Sequence, residues 1–230
     1  MTGGGDTRDR DLGFEGWRLV LPAGWSTVPT DDDGARAAIN GILDRALEGK
    51  PRDQMIKARI KVDRALREEV LRARRRGARH VHLLTTPVRG VPVSGSLITV
   101  PVPISGSIDD LGSVLTAVLG ESDGVVEVGH AELGRLPGLY RVRRSEEDLG
   151  DPEGPPVTAT YVDYVVPIAD DAVMEMVFMT MTEPIVDQMV ALFHAIASTL
   201  HRASGDRAAG DRAAGDQAAG DQASTAVGAP

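Results

Sequence analysis

Two patterns in this sequence combine residue types and spacing that could do chemistry. The first is His80-Val81-His82. On a strand, residues two apart point to the same side, so two neutral imidazoles could share one metal ion. A metal site needs a third ligand, and His130, on a separate strand, is the candidate the sequence offers. A structural role for His80 and His82 is the favoured reading, with no metal or cofactor expected.

The second pattern is a block of charge. Residues 57–79 contain ten Lys and Arg against Asp63, Glu68 and Glu69, a net of +7 in a chain of net −9, so the remainder carries −16. At helical spacing Lys57, Lys61, Arg64, Arg72 and Arg75 share one polar face. Such a face attracts an acidic protein partner or a larger assembly, and could also meet an anionic membrane surface. A solvated helix face neutralised by the chain's own acids is the competing reading. Nucleic acid is not the expected partner, because no aromatic residue interleaves with the cations and no reader motif is present.

Other chemistry is argued down residue by residue. The chain has no cysteine, which excludes disulfides, thiolate metal sites and cysteine nucleophiles. Neither a nucleophile elbow, a phosphate-binding Gly-rich loop nor an H-E-x-x-H pattern occurs. Asp109-Asp110 and Asp170-Asp171 read as a helix start and a turn, so no catalytic residue is assigned. Trp17 and Trp25, the only tryptophans, flank one strand candidate. Packing against a sheet is the favoured role for both. A pocket near Trp17, Trp25, His80 and His82 that holds a small ligand is the alternative.

These residues need elements to position them. Val162, Tyr164, Val166 and Ile168 alternate along one strand, and Met174, Met176 and Phe178 along the next, with a turn at Ala169-Asp170-Asp171. Val173, Val177, Met179 and Met181 give the second strand another apolar face, which requires cover on both sides. Ile185, Met189, Leu192, Ile196 and Leu200 recur at helical spacing after a first-turn Pro184. Upstream, a helix capped by Thr30 is expected to bury Ala35, Ile39, Ile42, Leu43, Ala46 and Leu47. A longer one, Arg52 to Arg76, carries Met55, Ile56, Ile60, Val62, Leu66, Val70 and Leu71 as its apolar side. Strands are expected over 17–22, 78–86, 93–104, 125–133 and 139–145, with a helix from Ser107 to Gly120. Pro101 and Pro103 each remove a ladder donor, so the end of their strand should lie at a sheet edge or leave the sheet.

The fold class that follows is α+β: a mainly antiparallel sheet of six or seven strands with helices on both faces. Residues 1–13 read as a polar flexible tail, and 14–203 as one domain with a helical insertion at 31–76. Residues 205–224 repeat with a period of five and contain no large apolar side chain, so they cannot offset the entropy of ordering, and 204–230 read as a disordered tail. No leader or membrane-spanning run is apparent, and the expected location is cytoplasmic.

Leu19-Val20-Leu21-Pro22-Ala23-Gly24-Trp25 resembles the strand and Pro-x-Gly-Trp entry of Mog1/PsbP-like domains. The ending is similar too: Val165-Val166-Pro167, a second strand, Thr182-x-Pro184, then a helix with Leu192-Phe193-x-Ala195-Ile196-x-x-Thr199-Leu200. Similar endings occur in uncharacterised actinobacterial proteins. The likeness covers the two ends of the chain, and the helical stretch 31–76 departs from the family's short connection. It implies a non-enzymatic binding or assembly module and transfers no active-site residue. The expected function is therefore a non-catalytic protein-binding module using the basic helix. A small-ligand binder or enzyme, and a structural subunit of a homo-oligomer, are the alternatives.

Overall fold

The computed structural model describes residues 7–14, 16–88, 90–104, 119–121, 123–147 and 156–203, with the backbone alone for 52–54. Its main sheet has seven strands in the order β3-β4-β5-β9-β8-β7-β6. These are β3 (Trp25–Pro29), β4 (His80–Leu84), β5 (Ser96–Pro103), β6 (Val125–Leu133), β7 (Leu136–Glu147), β8 (Val157–Ala169) and β9 (Ala172–Thr180). All neighbours pair antiparallel. A second sheet, ordered β1-β2-β10, joins β1 (Arg8–Asp11), β2 (Trp17–Leu21) and β10 (His201–Arg202). The helices are α1 (Asp32–Ala46), α2 (Arg52–Arg75) and α3 (Val186–Ala197). This is the expected α+β arrangement. Among the described residues no helix is long and apolar enough to cross a membrane.

Both faces of the main sheet are covered, as the double alternation on β9 requires. Val162, Tyr164, Met174, Met176 and Phe178 meet Met189, Phe193 and Ile196 of α3 and Trp17, Leu19 and Leu21 of the small sheet. Phe178 and Phe193 stack with centroids 4.9 Å apart. Val28, Val81, Ile98 and Val177 meet Ile39, Ile42 and Leu43 of α1 and Val70 and Ala73 of α2 on the opposite side. Each such side chain, taken out of water, contributes about 1.5–3 kcal/mol.

Several local expectations are corrected. Residues 8–11 belong to no tail: they form β1, paired from Arg8 with Leu21 to Asp11 with Arg18. Trp17–Leu21 lies in the small sheet and not in the main one. The cap of α1 is Asp31, whose carboxylate accepts from the Gly34 amide at 2.8 Å, while the Thr30 hydroxyl donates to the Ala78 carbonyl at 2.8 Å. The turn between β6 and β7 is only Gly134-Arg135. Pro101 and Pro103 lie in an interior strand, but β4 pairs with β5 no further than Ile98, so that side of the ladder asks no donor of either proline. The helix expected at 107–120 and the repeats at 204–230 fall largely or wholly outside the described residues.

Candidate functional site

The helix hairpin leaves an apolar surface uncovered. The buried positions of α2 are Val70 and Ala73, with Leu66 packed beside them. Ile56, Ile60 and Leu71 are 50%, 63% and 44% exposed. The broad apolar side expected from the sequence is thus only partly buried. At about 100° per residue, Ile56, Ile60 and Leu71 span about 60° of helix surface beside the buried stripe. Between the end of α1 and the first half of α2 lies an apolar groove of about 510 Å³, lined by Leu47, Met55, Ile56 and Ile60 and edged by Asp44, Lys50 and Arg59.

Next around the helix come the cations. Lys57, Lys61, Arg64, Arg72 and Arg75 are all exposed. The charge is less open than a residue count implies. Arg64 meets Glu68 at 2.8 Å, Arg72 meets Glu69, and Arg67 meets Asp63 at 2.7 Å, all within α2. Arg59 reaches Asp44 of α1, Arg74 reaches Asp32, and Arg76 reaches Glu175 of β9, at 2.7, 2.8 and 2.9 Å. The first two tie α2 to α1 within the hairpin, and the third ties the end of α2 to the sheet. The Arg67 hydrogen bond holds the Asp63 carboxyl below its ordinary range. Among the described residues Arg75 has no such partner, and it projects on the side of Ile60 and Leu71.

A second concavity, of about 610 Å³, opens where β1, the start of β3 and α1 converge. Arg8, Arg10 and Arg45 line it with the hydroxyls of Ser26, Thr27, Thr85 and Thr86, over Pro22, Trp25, Ala38 and Ile42. Ser26 and Thr85 hydroxyls lie 2.8 Å apart, and Arg45 Nη2 donates to Ser26 at 3.4 Å. Both tryptophans pack in the core, Trp17 with the Arg202 guanidinium 5.9 Å from its ring, and Trp25 also borders this cleft.

His80 and His82 do share a side of β4, with ring centroids 6.1 Å apart. His82 is fully buried, and its Nδ1 lies 3.0 Å from the Thr27 hydroxyl. Burial first, then the charges of His80 and Arg10, push its pKa down to about 3, so the ring is neutral. His130 lies on β6, at the opposite edge of the sheet, and does not join them. Among the described residues no three His, Cys, Asp or Glu side chains come together to hold a metal. His194 meets another partner that spacing alone does not reveal, the Tyr164 hydroxyl at 2.7 Å.

The sequence matches no family profile and no curated protein. Solved structures similar to it include the following two. The cyanobacterial PsbP protein (CyanoP) of Synechocystis shares 13% identity over 88% of this chain and 95% of that one, with a TM-score of 0.44. The Ran-binding protein Mog1p of Saccharomyces cerevisiae shares 9% over 86% and 96%, with a TM-score of 0.41. These are the structural neighbours that the resemblance at the two ends of the chain leads one to expect. The likeness lies in the course of the chain and identifies no functional residue.

Proposed function

We propose that this chain is a non-catalytic docking module that receives an acidic, amphipathic segment of a protein partner along α2. The observation that carries this reading is the uncovered apolar shoulder of Ile56, Ile60 and Leu71, bordered by Lys57, Lys61 and Arg75. Three large aliphatic side chains lie in water next to cations on a helix pinned at both ends by ion pairs. A segment that presents acids beside an apolar stripe complements both halves. Burial of the shoulder supplies affinity, and the cations supply orientation and association rate. The partner fitted to this face is a protein, because an extended row of aliphatic side chains gives a small polar ligand nothing to bind.

A photo-crosslinking residue in place of Ile60 tests the reading in the full chain. The expected product is a heterologous cross-link whose attached peptide is acidic and amphipathic. Its yield should fall with Arg64→Glu, Arg72→Glu and Arg75→Glu combined. Cross-links confined to a second copy of this chain would transfer the face to a homo-oligomer. Unchanged yield in the reversed variant, with the fold intact, would remove the charge-complementary partner.

A further inference from the structure

The cleft between β1, β3 and α1 has no part in that docking reading, and its chemistry is different. β1 is an edge strand whose partner is β2. Directly paired residues of an antiparallel ladder point to one side. Arg8 pairs with Leu21 and Arg10 with Leu19, both core-facing residues of β2, so the two arginines lie on the inner side of their strand. The acids that alternate with them lie on the other side and are engaged there: Asp9 with Arg18 at 2.8 Å, and Asp11 with the Gly13 amide at 2.7 Å. Arg45 of α1 comes from the facing wall, and among the described residues no carboxylate lines the cleft, in a chain holding 34 Asp and Glu.

Two donors among the lining residues are buried without a hydrogen-bond partner among the described residues: Arg10 Nε and Trp25 Nε1. Buried polar groups are nearly always paired, so both mark a place where an acceptor belongs. His82, next to Arg10, is neutral and does not compete as a cation. Below the polar end, Ala37, Ala38, Ile42 and Pro22 form an apolar wall. The volume of about 610 Å³ is that of a small-molecule site.

We propose that this cleft binds an organic phosphate, with its dianionic head between Arg8, Arg10 and Arg45 and an apolar or aromatic body against α1. Guanidinium forks match phosphate oxygens in pairs. The Thr86 hydroxyl lines the same cleft, while those of Ser26, Thr27 and Thr85 are engaged with Thr85, His82 and the Gly24 carbonyl and hold the wall in place. A monocarboxylate carries half the charge of a phosphate dianion and leaves more of these donors unpaired.

The competing explanation is that inward arginines merely keep edge β1 from pairing with another chain. Amide chemical shifts recorded as phenyl phosphate is titrated into the full chain distinguish the two, with inorganic phosphate and benzoate as comparisons. The expected result is saturable binding by about 10 mM, with shifts centred on Gly24, Ser26, Thr27, Thr85 and Thr86, and weaker binding of both comparison ions. Arg10→Gln should weaken binding about tenfold, as should Arg45→Gln, an exposed position whose replacement leaves the core untouched. No saturation in that range would overturn the site, as would equal affinity in both variants. Equal binding of phenyl phosphate and inorganic phosphate would overturn the organic ligand. Arg10→Gln that self-associates, in a chain that never bound phenyl phosphate, would establish the edge-guarding role instead.

Discussion

Asp163 holds Arg141 through a single oxygen: Oδ2 accepts from Arg141 Nε at 2.9 Å and from Nη2 at 2.6 Å. The same oxygen accepts from Arg143 Nε at 3.0 Å, and the Asp163 side chain is only 2% exposed. β7 and β8 place all three on one side of the sheet, because Arg141 pairs directly with Asp163. Asp163→Ala removes the buried carboxylate that Arg141 and Arg143 share. The expected loss is about 3–5 kcal/mol in urea unfolding. Losing less than about 1 kcal/mol would mean that water reaches the cluster freely.

His82 predicts a stability profile in acid. Its folded pKa of about 3 lies below the ordinary value of 6.5. The unfolded chain therefore takes up a proton that the folded chain refuses. Its contribution is complete above pH 6.5 and drains away as pH falls from there toward 3. Between those limits the wild type should lose up to about 1.4 kcal/mol per pH unit more than His82→Leu does. Parallel pH profiles for the two proteins would contradict the buried, neutral imidazole.

Gly134 offers a test of the β6–β7 turn. It has φ +65°, and a Cβ there would come within 1.9 Å of the Leu200 carbonyl oxygen. Its amide also donates to the Ser198 carbonyl at 3.0 Å. Gly134→Ala should destabilise by more than the roughly 1–2 kcal/mol of a left-handed alanine alone. Gly49→Ala, at φ +75° with nothing within 4 Å, should show only that smaller effect. Equal melting-temperature shifts would dissociate the turn from the end of α3.

The two sides of α2 should answer mutation differently. Val70 is 4% exposed and Ile60 is 63% exposed. Val70→Ala is expected to cost about 2 kcal/mol, and Ile60→Ser to stay within about 0.5 kcal/mol. A large loss at Ile60 would place that side chain in the fold's own core.

The central strands and the last helix were readable because β8, β9 and α3 carry clean apolar periods whose residues supply much of the core, among them Val162, Tyr164, Met174, Met176, Phe178, Met189 and Phe193. β1 was not, since Arg8-Asp9-Arg10-Asp11 has no apolar residue to alternate. Its one signal is the strict change of charge sign at period two. α2 was readable as a helix but not in its orientation. Its apolar residues cover more surface than the sheet can cover, and no local rule tells which part is left in water. The arginine cleft collects side chains from β1, β3, α1 and the residues after β4. Spacing along the chain holds no trace of such a meeting. Trp25 was named as a border of a pocket, but Arg8, Arg10 and Arg45 become its partners only through strand pairing.

The small sheet has a consequence for how the molecule is made. β2 is held on one side by β1 and on the other by β10, and the Thr199 hydroxyl accepts from the Val20 amide at 2.9 Å. Val20 leaves the ribosome 179 residues ahead of Thr199, and Trp17, Leu19 and Leu21 leave beside it. A nascent chain carries that hydrophobic strand without its closing partner until β10 has been made. The interval in which it invites chaperones or wrong neighbours is set by translation speed rather than by the folding rate of the finished protein.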